Sequence, residues 1–115
     1  MIFVLTKRFT KNNRETARIL IENRISYFNK FYNFEINRIA IKNTKSRWGS
    51  CSKKKNLNFN YKIIFLEPQL ADYIIVHELC HLGEFNHSKR FCNLIAKTIP
   101  DYKNIHQKLK NFRIS

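Results

Sequence analysis

The chain has little glycine and proline, two of each in 115 residues, and few acids, eight against 22 lysines and arginines. So little Gly and Pro excludes collagen-like and low-complexity classes. A composition 43% hydrophobic and 14% aromatic excludes a disordered tail. Long apolar runs are also missing. Runs such as residues 2–5, 63–66 and 73–76 are four residues long, or five with Met1, where a membrane-spanning helix needs about 20. The first residues turn charged at Lys7 and Arg8 without an apolar core or a cleavage site, so the sequence reads as lacking a secretory leader. Three cysteines, Cys51, Cys80 and Cys92, form no CxxC pair and leave an odd thiol under any pairing. That pattern points to a reducing cytoplasm. A mass of 13.9 kDa supports one hydrophobic core, hence a single domain over residues 1–115.

The formal net charge is +14, and its distribution is uneven. Residues 63–88 hold no Lys or Arg but contain Glu67, Asp72, Glu78 and Glu84. All 22 basic residues therefore lie elsewhere with only four acids, leaving +18 on the remaining chain. Such a surplus attracts nucleic acid or nucleotides without specificity. Residues 53–55 and 103–113 are the basic segments where such contact is expected.

Periodicity gives the elements. Thr10 is a candidate N-cap for a helix reaching about residue 32, with Ala17, Leu20, Ile21, Ile25, Phe28 and Tyr32 at helical spacing. Residues 1–6 read as a short strand or an arm. Residues 35–42 alternate and read as a strand. Residues 45–52 continue as an extended piece in which Gly49 marks a bulge or a close backbone approach. Residues 53–56 read as a hairpin turn, and residues 57–61 as its return strand. Pro68 suits the first turn of a helix running to Leu82, with Gly83 as a left-handed cap. Two further helices are expected, from Ser88 to about Thr98 and from Pro100 towards Phe112. The order is that of an α+β domain with a small, mostly antiparallel sheet.

The chemistry lies in His77-Glu78-Leu79-Cys80-His81, an HExxH pattern on the apolar helix. Residues four apart return to nearly the same helical face, so both imidazoles reach one ion. Glu78 lies about 100° around the helix from His77, where it can face a zinc-bound water as general base. Zinc suits two or three imidazoles held tetrahedrally with one position left for that water. The third ligand has four candidates downstream: Glu84, His87, Asp101 and His106. His87 is preferred, because it follows the turn expected around Gly83 and lets the chain fold back over the metal. Cys80 reads as helix packing.

The segment VHELCHLGEFNHSKRF, preceded by Asp72-Tyr73-Ile74-Ile75, by Arg47-Trp48-Gly49-Ser50-Cys51 and by Leu57-Asn58-Phe59-Asn60, resembles the YgjP-like metallopeptidase family. That family is related to the SprT-like and WLM zinc proteases and to the minigluzincins. The resemblance implies a zincin-like half-domain, with a small sheet over the HExxH helix and an edge strand near Trp48 able to hold an extended peptide. It implies zinc bound by His77, His81 and His87, and Glu78 as catalytic base. Cys92 departs from the pattern, since relatives usually carry Trp after Phe91.

Three functions follow as expectations. The first is a small zinc metallopeptidase acting on peptides or proteins. The second is a zinc-dependent nucleotide pyrophosphohydrolase, favoured by the basic surround but lacking a Gly-rich phosphate loop. The third is a nucleic-acid-associated basic module or a protease of DNA-bound proteins. Trp48 is expected in the core, and the phenol of Tyr102 is a candidate donor to transition-state charge.

Overall fold

The computed structural model describes residues 10–112 of the chain. The expected strand or arm at residues 1–6 lies outside them. Helix α1 spans Lys11–Asn29, with the Thr10 hydroxyl accepting from the Asn13 amide at 3.0 Å. Its buried residues, Ala17, Ile21, Ile25 and Phe28, keep the predicted spacing. The helix stops before Tyr32, because the Asn29 side chain turns to pair with the backbone of Phe34 and Asn33 adopts a left-handed φ of 58°.

Three strands follow: β1 (Arg38–Lys42), β2 (Gly49–Cys51) and β3 (Asn56–Asn60). The Lys53–Lys55 turn joins β2 to β3 as an antiparallel hairpin, with Lys55 at φ 65°. The sheet order is β1-β3-β2, and β1 pairs with β3 in parallel over five residues. The sheet is therefore mixed, where alternation led us to expect a mostly antiparallel one. Side-chain alternation has a period of two in either pairing and does not report strand direction. The direction is set by the loop at residues 43–48, which carries the chain past the width of β3. Asn60, 1% exposed, pins that loop: its Nδ2 donates to the Thr44 carbonyl at 2.7 Å and the Arg47 carbonyl at 3.2 Å.

A 3-10 turn at Tyr61–Phe65, absent from the sequence reading, inserts Tyr61 and Ile63 into the core. Helix α2 (Pro68–Cys80) has Pro in its first turn and buries residues on nearly every side, so it is the central element. Helix α1 is clamped to it by Arg24, whose Nε and Nη2 meet the two Asp72 carboxylate oxygens at 2.8 and 3.0 Å. Helix α3 (Lys89–Thr98) is capped by Ser88, and α4 (Tyr102–Leu109) closes the far side. Among the described residues the buried apolar side chains form one cluster, shared by the sheet and all four helices.

The end of α2 differs from expectation. The helix closes at Cys80 with His81 as its C-cap, and no glycine has positive φ. Gly83 is thus a packing glycine rather than a left-handed cap. A Cβ there would lie 2.7 Å from Phe34 Cζ and 3.2 Å from Leu94 Cδ1. It lets Phe34, from the loop after α1, and Leu94 of α3 pack against the segment that follows α2.

Candidate metal centre

His77 and His81 stand on consecutive turns at the C-terminal end of α2, and the segment between α2 and α3 returns His87 towards them. One ring nitrogen from each lies within 4.8 Å of the others. His77 Nε2 and His87 Nε2 are 3.4 Å apart. Two nitrogens bound at about 2.0–2.1 Å to a tetrahedral zinc ion are separated by about 3.3–3.4 Å, so this pair is spaced for one ion. His81 Nδ1 lies 3.1 Å from the Glu84 carbonyl oxygen. Donation through Nδ1 fixes the tautomer and leaves the Nε2 lone pair free for a metal. His77 Nδ1 is buried without a partner among the described residues.

Burial, with repulsion from His81 and His87, pushes the His77 pKa down to about 3. Burial likewise lowers that of His81. Neutral imidazoles are the form that ligates. The three residues therefore fit a zinc ion on spacing, with His77 and His81 held neutral and His81 set in a ligating tautomer.

Phe91, 2% exposed on α3, organises the cluster. Its ring centroid lies 4.3 Å from that of His81 in a stacked arrangement, and 5.0 Å from those of His77 and His87. The Ser88 hydroxyl accepts from the Phe91 amide at 3.3 Å, so the cap that starts α3 also anchors the loop carrying His87. Phe91 entered the sequence reading only as part of a motif. Nothing in its spacing reveals that it touches all three imidazoles.

The other ligand candidates are elsewhere engaged. Glu84 offers its backbone carbonyl to His81, and its carboxylate is not among the converging ligand atoms. Asp101 accepts from Asn104 at the start of α4. His106 Nδ1 lies 2.8 Å from the Tyr73 hydroxyl. Cys80 is fully buried.

Glu78 is 7% exposed and lies one residue around the helix, against the sheet. Burial raises its pKa to about 7, with Arg47 pulling the other way. The close backbone approach expected at Gly49 is directed at this side chain: a Cβ on Gly49 would lie 2.9 Å from Glu78 Cγ and 3.3 Å from Oε2. Cys51, two residues along β2, has its thiol pKa raised to about 11 by burial and by Glu78. Trp48 is half-buried, packed on the core, and also borders a cavity of about 240 Å³ with Gly49, His77 and Glu78.

Two groups in this cavity have a place that the sequence did not give them: Tyr73 was only part of a motif, and His106 was a ligand candidate. Tyr73 sits one turn before His77, and His106 comes from α4. Tyr73 also follows helical spacing from the HExxH, which was the available signal. His106 reaches the site only through the packing of α4 on α2. Tyr102 borders a larger cavity that shares Tyr73, His77 and His106 with the smaller one.

A family model for the YgjP-like metallopeptidase domain matches residues 4–112. No curated protein sequence matches the chain. Among solved structures, the metallopeptidase zymogen abylysin of Pyrococcus abyssi is similar, with a TM-score of 0.71 at 22% identity, over 79% of this chain and 92% of that one. Jannalysin of Methanocaldococcus jannaschii, also a metallopeptidase zymogen, matches with a TM-score of 0.67 at 28% identity, over 79% and 94%. The mixed sheet and four helices thus have the α+β fold of zincin-like metallopeptidases.

Proposed function

The chain belongs to the YgjP-like metallopeptidase family and is by that membership a zinc metallopeptidase; from this premise we propose that His77, His81 and His87 hold the zinc, that Glu78 is the general base, and that residues 1–115 act as one catalytic domain. The observation that carries the reading is the convergence of three imidazole nitrogens within 4.8 Å beside a buried carboxylate. Zinc, when bound, supplies Lewis-acid activation of a water and of the scissile carbonyl.

The chain's own groups do the rest. Glu78, with its pKa near 7, accepts the proton of the attacking water and returns it to the leaving amine. Its side chain packs against Gly49 of β2 and fills the space that a Cβ there would need. Strand β2 lies at the edge of the sheet and offers its outer side to an extended peptide. His106 and Tyr73 form a hydrogen-bonded pair bordering the same cavity as Glu78 and His77.

Three cysteines without a disulfide support a cytoplasmic location. Among the described residues no helix is long and apolar enough to cross a membrane. The basic surround gives nonspecific affinity for nucleic acid or nucleotides, which falls as salt rises.

Zinc-loaded protein, assayed side by side on quenched peptides and on nucleoside triphosphates, tests the reading. Hydrolysis of peptides alone is expected, and Glu78→Gln should keep about one zinc per chain while losing a factor on the order of 10²–10⁴ in rate. Full turnover by a zinc-loaded Glu78→Gln protein, or cleavage of nucleotides alone, would overturn it.

A further inference from the structure

We propose that the cavity between α3 and α4 is a subsite for a large apolar or aromatic side chain of the substrate, next to the scissile bond, with Cys92 setting its depth. This deepens the metallopeptidase reading and rests on it. The cavity measures about 620 Å³, and His77 and His87 stand at its metal end. Phe91, Ile95 and Tyr102 supply apolar wall, and Phe91 and Ile95 are among the most buried residues of the chain. Its volume falls in the range of small-molecule and side-chain sites, about 300–1,000 Å³.

The two cavities adjoin and share Tyr73, His77 and His106. The smaller contains Glu78 and borders the edge strand, so the general base belongs to that part. The larger lacks Glu78 and has no acidic residue in its lining. A basic substrate side chain would meet Lys103 and no counter-charge there. An acidic one would leave water for a mostly apolar wall in which exposed Lys103 is the sole Lys or Arg, and burying a charge without a well-held partner is costly. A leucine or phenylalanine side chain meets neither penalty. Cys92 stands on the wall where the family resemblance puts Trp, and the smaller residue leaves the space open.

Two series of peptide hydroxamates, carrying Gly, Leu, Phe, Asp or Lys on one or the other side of the chelating group, test this on the zinc-loaded full chain. In at least one series Phe and Leu should bind roughly tenfold or more tighter than Gly, as filling an apolar pocket does. Asp and Lys should bind no tighter than Gly. The bound Phe compound should also slow alkylation of Cys92, read by mass spectrometry, more than the Gly compound does at equal occupancy. Cys92→Trp should bring the Phe-to-Gly affinity ratio close to one.

Two flat series, series led by Asp or Lys, or Cys92 alkylation indifferent to the Phe compound would overturn the subsite. These readouts come from the wild-type chain and stand even if the Trp variant does not fold. Failure of every hydroxamate to bind while zinc stays at one per chain is a different pattern, and it would overturn the peptidase reading itself.

Discussion

Gly49 and Glu78 are packed so closely that a methyl group on Gly49 would sit 2.9 Å from Glu78 Cγ and 3.0 Å from the carbonyl oxygen of Asn58 on the neighbouring strand. The Asn58 oxygen is backbone in a paired sheet and does not yield cheaply. The side chain that gives way is therefore Glu78. Gly49→Ala should lower kcat/KM at least about tenfold, since misplacing a catalytic group by a fraction of an ångström to an ångström weakens proton transfer steeply. Zinc content should stay near one per chain. Retained activity, or loss of zinc in step with activity, would contradict this account.

The Tyr73–His106 hydrogen bond predicts a tautomer. Burial raises the Tyr73 pKa to about 12, so its phenol is protonated and donates to His106 Nδ1 at 2.8 Å. Neutral His106 then carries its proton on Nε2. Nitrogen-15 shifts of the imidazole should report the Nε2–H form at pH 7.5, and Tyr73→Phe should mix the two tautomers. That substitution should also cost about 1 kcal/mol of stability, the net worth of one hydrogen bond.

The histidine cluster makes the metal-free protein acid-sensitive. Burial lowers the folded-state pKa of His77 to about 3, and lowers those of His81 and His106 from the usual value of 6.5. Below about pH 6.5 the unfolded chain takes up protons that the folded chain refuses. The histidines' contribution is thus complete above that pH and falls as pH drops towards the folded-state values, while Glu78, raised to about 7, takes up a proton in the folded chain over the same range and contributes with the opposite sign. In a Glu78→Gln background, urea midpoints measured with a chelator should therefore decrease from pH 7.5 to pH 5.5, and adding His77→Leu should flatten the decrease. A Glu78→Gln midpoint independent of pH over this window would refute the linkage.

Asn60 holds the loop that places β2. Its side-chain nitrogen serves the carbonyls of Thr44 and Arg47 and the Thr44 hydroxyl, and its Oδ1 accepts from the Lys62 amide. Asn60→Ala should cost about 1–3 kcal/mol or more, because buried backbone groups lose their partner. Peptide hydrolysis should fall further than zinc affinity, since β2 carries Gly49 and none of the three histidines. Equal losses in both would assign Asn60 a global role only.

His87 is the exposed member of the cluster, on a loop between two helices. His87→Ala should leave the unfolding midpoint of the metal-free protein nearly unchanged, within about 0.5 kcal/mol as for other surface substitutions. Zinc affinity should fall sharply, measured by competition with a chromogenic chelator. Unchanged zinc affinity would remove His87 from the ligand set.

Local sequence determined the parts of this protein whose cause is local. Thr10 and Ser88 announced their helices because an N-cap is a contact three residues long. The hairpin around Lys53–Lys55 followed from alternation broken by a polar turn. HExxH brought His77 and His81 together because the helix itself returns residues four apart to one face. The turn expected around Gly83 and the family resemblance both pointed to His87, and the loop geometry places its ring beside theirs.

Only the tertiary structure decided the rest, because the partners are far apart in the chain. The parallel pairing of β1 with β3 depends on a loop held by Asn60 from the end of another strand. Gly83 looked like a helix cap, yet its need for no side chain comes from Phe34 and Leu94, one on either side of it in sequence. Phe91 against three imidazoles and His106 against Tyr73 arise where α3 and α4 dock on α2. Periodicity says which face of an element is buried, but only packing says which neighbour fills the space beyond it.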